Sequence, residues 1–472
     1  MQKQLMILEV SQKQNYIFAS RKLKDNIQRS ADIARVTSSA FFEEVCPRDY
    51  DHRLNMVYSG GGHTVLQFDS KDDADRFARG VTASVLKQYP GMSLFVKQLA
   101  YAPALSAGEN LNLLSKELEI KKSKRQQAFR TYALGIEVPG DAGVTDEPRD
   151  NFKIPQGWHS TPHIGNVDPD DNFLAVIHID GNAMGARVQK IYESCGHNWS
   201  HCVQKLDQFS REIDEHFQMA FDEMADDLAR ELDSRVGPSD KKWRKRILPI
   251  RKIIGAGDDV CFITTGKLGL ECAANFLTHL NSKQNRADGE YYTACAGVVL
   301  IHKKYPFRQA YDLSESLCRS AKRFVTEYGG GFSALDFHVE YGQIKSSLTD
   351  IRADYTTDDG KKLELRPYAV TKAIGVPAYR TYPKLMEKLK FLEDLLAKKR
   401  IARSKIKGLR VPFRQGEWET RLAMRMTSTN DILKEDNVTS AFWTDDKDVE
   451  RNRYFDAMEL LDVTTRWQEV SK

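Results

Sequence analysis

The chain has 472 residues, with 70 Lys plus Arg against 66 Asp plus Glu and a net charge of +4, so it suits two to four domains and only local charge runs can argue for nucleic acid. No apolar run approaches the ~20 residues of a membrane span, and MQKQLMILEV lacks the layout of a signal peptide. Seven scattered cysteines (46, 195, 202, 261, 272, 295 and 318) read as free thiols rather than a disulfide framework, and a cytoplasmic protein with no membrane association is expected.

Leu5–Val10 is strongly apolar and predicts a strand, and the spacing of Tyr16, Ile17, Leu23, Ile27, Ile33, Phe41 and Phe42 predicts a long helix over Gln14–Val45. His52–Ser59 and Thr64–Phe68 read as strands flanking Gly60-Gly61-Gly62, Lys71–Gln88 as a helix and Met92–Tyr101 as a strand. The order is βαββαβ, and we place a first domain at 1–110. Residues 111–172 follow as a helical and loop connector, with the basic run KKSKRQQAFR (121–130) and a Gly/Pro/Asp-rich stretch from Gly140.

The same order returns over 173–345. FLAVIHIDGNAMG (173–185) is an apolar strand that ends at Asp180 and enters a small-residue turn before a helix. A long insertion carries an amphipathic acidic helix over Phe209–Leu232, preceded by CGHNWSHC (195–202), whose spacing does not suit a zinc site. A second basic run, KKWRKR, occupies 241–246. RKIIGAGDDVCFITT (251–265) then places two carboxylates on a glycine turn between β-branched runs, with Gly255, Ala256 and Gly257 leaving the tip open. A helix (269–282), a strand (291–301), a helix (307–324) with Lys322 and Arg323 near its end, and a strand ALDFHV (334–339) complete the unit. If the first strand pairs beside the hairpin, Asp180, Asp258 and Asp259 converge, which is the ligand set a hard cation needs beside a triphosphate. The two halves read as an internal repeat, with YSGGGH (58–63) standing where GAGDD stands and with no metal acids in the first copy.

From Arg366 the chain turns Lys/Arg/Leu-rich. Helices are predicted over Tyr382–Lys407, Gly416–Leu433 and Lys447–Val470, giving an all-helical C-terminal domain at 366–472 whose run AKKRIARSKIKGLR (397–410) is the best candidate for a polyanion contact. The fold class expected is α+β: two ferredoxin-like βαββαβ palms, a helical connector and an all-helical C-terminal domain.

QNYIFASRKLKDNIQRSADIA (14–34), YSGGGH (58–63), IDGNAMG (179–185), GAGDDV (255–260), AGVVLIHKKYPF (296–307) and ALDFHV (334–339) resemble, in order, the large palm-domain subunit of type III CRISPR effector complexes, and more distantly the palms of diguanylate cyclases. The resemblance implies ATP bound between the palms, magnesium or manganese on Asp180, Asp258 and Asp259 as catalytic and metal residues, and a cyclic oligonucleotide product. It further implies that Gly181, Asn182, Gly185, Gly257 and Lys322 contact phosphates and that Ser59, Gly60, Gly61 and Gly62 form the nucleotide loop of the first palm. Two departures stand out: there is no His-Asp dipeptide, so the nuclease chemistry of an HD domain is not expected, and residues 111–172 hold no cysteine for a connector zinc site.

The reaction expected is two-metal condensation of ATP or another NTP in antiviral defence. RNA or effector-complex subunits are expected at the basic segments, and the reading leaves room for a homo-oligomer. The alternatives are a mono- or dinucleotide cyclase and a non-catalytic nucleotide or RNA sensor.

Overall fold

The structure is a computed structural model that describes residues 3–20, 22–124, 151–161, 171–235, 246–342 and 347–467. The first palm comprises β1 (Gln4–Ser11), α1 (Lys13–Ile17), α2 (Leu23–Val36), α3 (Ser39–Val45), α4 (His52–Asn55), β2 (Met56–Gly60), β3 (His63–Phe68), α5 (Lys71–Gln88) and β4 (Ser93–Ala100). Its sheet runs β2-β3-β1-β4 and is antiparallel throughout. Two expectations change here. The helix predicted over 14–45 is cut into three, because Ser38 caps a fresh helix by accepting from the Phe41 N–H. The strand expected from His52 begins only at Met56, because the Asp51 carboxylate accepts from the Arg53 N–H and starts one helical turn.

α6 (Ala107–Lys124) leads to the second palm: β5 (Phe173–Gly181), α7 (Met184–Cys195), α8 (Trp199–Arg235), β6 (Ile250–Ala256), β7 (Asp259–Thr265), α9 (Gly269–Asn281), β8 (Ala294–His302), α10 (Phe307–Glu327) and β9 (Ala334–Val339). α11 (Leu348–Ala353) and a short edge strand, β10 (Tyr368–Ala369), follow. The sheet order is β10-β9-β8-β5-β7-β6, so β6-β7-β5-β8 repeats the order of the first palm and β9 adds in parallel to β8. α10 lies close on β8 because Gly297 has no side chain there: a Cβ would run into the Ser314 carbonyl oxygen. Most of the run 121–130 and all but Arg246 of the run 241–246 lie outside the described residues.

β1 is apolar without alternation because both of its faces are covered. Leu5 and Ile7 join a core with α6, α8 and the second sheet, while Met6, Leu8 and Val10 join another that holds Ile253, Ile254 and Val299. The insertion helix is longer than its periodic stretch, at 37 residues, and buries Leu206, Phe209, Phe217, Phe221, Leu228 and Leu232 along one stripe. In CGHNWSHC the two cysteines are buried and the two histidines exposed, at the corner between α7 and α8. All seven cysteines are free and buried.

The C-terminal region carries α12 (Tyr382–Ala397), α13 (Arg403–Gly408), α14 (Arg410–Gln415), α15 (Glu417–Met426), α16 (Asp431–Glu435) and α17 (Phe455–Leu460). It departs from all-helical in one hairpin, β11 (Phe442–Thr444) paired with β12 (Glu450–Asn452), which replaces the start of the helix predicted from Lys447. Positive-φ residues at Lys399 and Ser428 break the other two predicted helices. No helix among the described residues is long and apolar enough to cross a membrane.

Candidate active site between the palms

β5 is the central strand of the second palm, and its register sets the site: Asp180 lies directly across from Asp259 on β7 and Cys295 on β8. The β6–β7 hairpin closes with Ala256 opposite Asp259, so its turn is two residues long, Gly257 at φ +66 followed by Asp258. Positive φ at the first central position is the mark of a type II′ turn. The sequence reading had spread that freedom over Gly255, Ala256 and Gly257; the structure confines it to Gly257, because Gly255 and Ala256 are still paired in β6.

Asp258 folds back over the end of β5. Its carbonyl accepts from the Gly181 N–H at 3.3 Å, and a Cβ on Gly181 would stand 2.9 Å from Asp258 Oδ2. Glycine at 181 is therefore what lets the two carboxylates approach. Burial first, and then the neighbouring charge of Asp180, push the Asp258 carboxyl up to about 6 and that of Asp259 up to about 7. Asp259 presents 44 % of its side chain to solvent, yet its Oδ1 is covered and has no hydrogen-bond partner, and it is this inner oxygen that makes the charged form costly.

Lys322, from α10, places Nζ 2.7 Å from Asp180 Oδ2 and donates to the Gly181 carbonyl at 2.8 Å. Burial opposes its charge, but Asp180 outweighs burial and the ammonium is held above its ordinary value. Arg323 does not join it; it is exposed and lines a groove on another face of α10. The Asn182 amide is used within the fold, donating to Thr293 Oγ1 at 3.2 Å and the Phe332 carbonyl at 3.3 Å. Gly185 is exposed, and a Cβ there would meet nothing.

In the first palm the corresponding turn is Gly61-Gly62, at φ +58 and +79, between the paired residues Gly60 and His63. The two hairpin tips touch: a Cβ on Gly257 would stand 3.3 Å from the Gly61 backbone nitrogen. Of the four residues expected to line a nucleotide loop, only Gly61 borders the cleft. Ser59 Oγ donates to the Thr37 carbonyl at 2.8 Å, Gly60 backs onto Ser210, and the buried Gly62 accepts from the Val10 N–H at 3.1 Å.

The first palm was expected to hold no metal acids, and the register shows that one carboxylate, Glu9, stands at the position of Asp180. Glu9 pairs with His63 across β1–β3 as Asp180 pairs with Asp259 across β5–β7. Three residues after each acid comes a non-glycine residue in left-handed conformation that opens a helix, Gln12 at φ 54 and Ala183 at φ 56. Lys122 of α6 grips Glu9 at 2.6 Å as Lys322 grips Asp180. This correspondence is not visible in the sequence, because period-2 alternation, which fixes register, is absent from β1.

Between the tips lies a cavity of about 470 Å³ bordered by Glu9, Lys13, Gly61, Asp258, Asp259 and Tyr311, among others. Sequence reasoning missed Lys13, whose ammonium donates to the Gly61 carbonyl and whose burial lowers its pKa, and Tyr311, which packs on Phe18 across the palms at 4.5 Å. It also missed Ser210 and Asp214, one turn apart on α8: Ser210 Oγ donates to the Ser59 carbonyl, and Asp214 Oδ1 accepts from the Gly257 N–H at 3.2 Å. The repeat was the signal for Lys13, since it follows β1 where the DGNAMG turn follows β5. A larger cavity of about 540 Å³ sits in the C-terminal region, but its carboxylates Asp436 and Asp456 are already paired with Lys388 and Arg366.

Comparison with known proteins follows this geometry. Residues 173–326 match the family model of the second palm domain of Cas10/Cmr2. No curated protein matches the chain significantly. Among solved structures, the Csm1-Csm4 cassette in complex with cA3 aligns with a TM-score of 0.59 at 13% identity, and the apo cassette with 0.59 at 15%; each alignment covers 98% of this chain and 70% of the other. The same cassette in complex with pppApApA aligns with a TM-score of 0.56 at 15% identity. Residues 173–326 are therefore a palm domain of the Cas10/Cmr2 type, within a chain that has the fold of a Cas10-like type III palm subunit.

Proposed function

We propose that the chain is a nucleotidyltransferase that condenses ATP, or another nucleoside triphosphate, into a cyclic oligonucleotide in the cleft between its palms, in CRISPR-linked defence. The observation that carries this reading is the convergence of Asp180, Asp258 and Asp259 at one sheet end, with Asp258 and Asp259, though not Asp180, bordering the cavity that Gly61 of the other palm's hairpin also lines. The likeness to the Csm1-Csm4 cassette, solved in complex with cA3 and with pppApApA, supports ATP as the substrate and a Csm4-like partner.

The residues fit a hard cation: three carboxylates supply oxygen donors, and Asp259 Oδ1 is covered without a partner. Among the described residues no three His, Cys, Asp or Glu side chains are gathered into a ready-made ligand set, and Lys322 occupies Asp180 Oδ2. Asp180, Asp258 and Asp259 would hold magnesium or manganese, which when bound stabilises charge on the phosphoryl oxygens and acidifies a coordinated hydroxyl. For Asp180 to serve as a ligand Lys322 would have to release it, and the ammonium would then be free for a phosphate oxygen of the nucleotide. Asp258 and Asp259, held up to about 6 and about 7 by burial and by Asp180, would hold a cation in their deprotonated forms. Gly61 keeps the first palm's tip thin where it borders the cavity, whereas the Gly257 N–H, expected to meet a phosphate, is taken by Asp214 Oδ1.

The test is mass spectrometry of products after incubation of the protein with each NTP and magnesium or manganese. A cyclic oligonucleotide that disappears in Asp258→Ala/Asp259→Ala is expected. A mono- or dinucleotide product would keep the chemistry and replace the product. Nucleotide binding without turnover would favour the sensor reading, which the Lys322–Asp180 pair supports because it neutralises one acid without a metal.

A further inference from the structure

α10 serves two sites from two faces. Lys322 reaches the palm cleft, while Ser316, Arg319, Ser320 and Arg323, at helical spacings of three and four, border a separate cavity of about 830 Å³. Across that cavity stand Arg352 of α11, then Thr356 and Lys362. Among the described residues its lining holds four cations, several hydroxyls, no carboxylate and no aromatic ring.

Two of the four cations, Arg323 and Lys362, meet no carboxylate among the described residues. Arg323 is exposed and has no ion pair or hydrogen bond among the described residues. Arg319 meets Glu315 at 3.1 Å with 59% of its side chain exposed. Arg352 gives Nη2 to the buried Asp336 at 2.6 Å, but its Nη1 is covered and has no partner. Lys362 donates only to a neutral acceptor, Thr356 Oγ1, at 2.7 Å. In a chain with a net charge of only +4, four cations bordering one groove are a local concentration rather than bulk composition.

We propose that this groove binds the phosphodiester backbone of a single-stranded nucleic acid. Three of the four cations are arginines, whose planar forks match phosphate oxygens, and the hydroxyls supply further donors. Arg319 and Arg323 stand about 6 Å apart along the helix axis, which lets neighbouring phosphates be held together. With no aromatic surface to stack bases, the groove reads backbone and not sequence. Binding therefore depends steeply on salt: four phosphate contacts give a log–log slope of about −3.

The experiment is fluorescence anisotropy of the full chain with single-stranded RNA and with DNA of the same sequence, between 50 and 200 mM salt on the order used for such slopes. Arg319→Ala/Arg323→Ala keeps helix propensity and is expected to weaken binding by about tenfold or more and to flatten the slope by about 1.4, with the thermal midpoint unchanged. Lys71→Ala/Lys87→Ala, two exposed lysines of α5, removes the same charge elsewhere and should leave affinity and slope as they were. The ratio of RNA to DNA affinity identifies the source of the strand. Equal losses in both double variants, no oligonucleotide binding at the lowest salt, or inorganic pyrophosphate binding as tightly as the oligonucleotide would each overturn the proposal.

Discussion

The two palms are the same machine with different ends. Each brings an acid at the end of its first strand, a lysine gripping that acid, a left-handed residue three positions on, and a two-residue hairpin turn beside it. The difference lies in the turn and the residue after it, Gly62-His63 in the first palm and Asp258-Asp259 in the second. Two side chains thus carry the difference, and with it the proposed cation site. Burial holds the His63 imidazole near 4, so it brings no charge where Asp259 brings one.

Breaking the acids should show this asymmetry most strongly. Asp180→Ala, Asp258→Ala and Asp259→Ala are each expected to lower product formation by at least ~10²–10³-fold, while Glu9→Ala, at the matching position, costs far less. Thermal midpoints should hold or rise in Asp258→Ala and Asp259→Ala, because crowded carboxylates repel, whereas Asp180→Ala leaves the Lys322 ammonium without its partner and should lower the midpoint. Equal losses at Glu9 and Asp180 would make the palms functionally alike.

The glycines offer a finer cut. Gly257→Ala and Gly61→Ala both force a Cβ into positive φ and should lose similar stability, about 1–2 kcal/mol. Only Gly257→Ala also pushes against the other tip, so its turnover should fall further than its stability explains. Activity and thermal midpoint measured side by side decide the matter.

Lys13→Met addresses the first palm alone. Loss of one charged donor bordering the cleft is expected to raise the KM for nucleotide by about tenfold, with a smaller change in kcat.

The smallest effect is on pH. Asp258 and Asp259 keep protons in the folded chain at pH values where the unfolded chain has released them, so their contribution to stability falls as pH rises from about 4 through 7. His63 and His178, both lowered to about 4 by burial, act oppositely and lose stability as pH drops below about 6.5. The readout is therefore the difference between the metal-free parent and Asp258→Asn/Asp259→Asn. The parent's midpoint should fall relative to the variant's by a few degrees between pH 5 and 8. A constant difference would mean the carboxyls titrate as ordinary aspartates.

Much of this was legible because the palm announces itself through runs of period and composition. Phe173–Asp180 and Val260–Ile263 could only be buried strands, and Lys71–Gln88 carried its own start signal in Ser70, which accepts from the Asp73 N–H. What escaped depends on register or on contacts between distant segments. Matching Glu9 to Asp180 needs the strand pairing, and the parts played by Ser210 and Asp214 follow from where a 37-residue helix happens to cross two hairpins. The β11–β12 hairpin was hidden for another reason: three-residue strands leave too short a pattern to read.

α8 belongs to the second palm by sequence, yet it holds the first palm's hairpin, and strand β1 shares its apolar neighbours with β6 and β8. Neither palm owns a complete interior. Severing the chain near residue 110 would bare Ile7, Val57 and Val65 on one side and leave Phe209 and Phe217 without their full cover on the other. The palms therefore melt as one cooperative unit, and calorimetry should show them in a single transition instead of two.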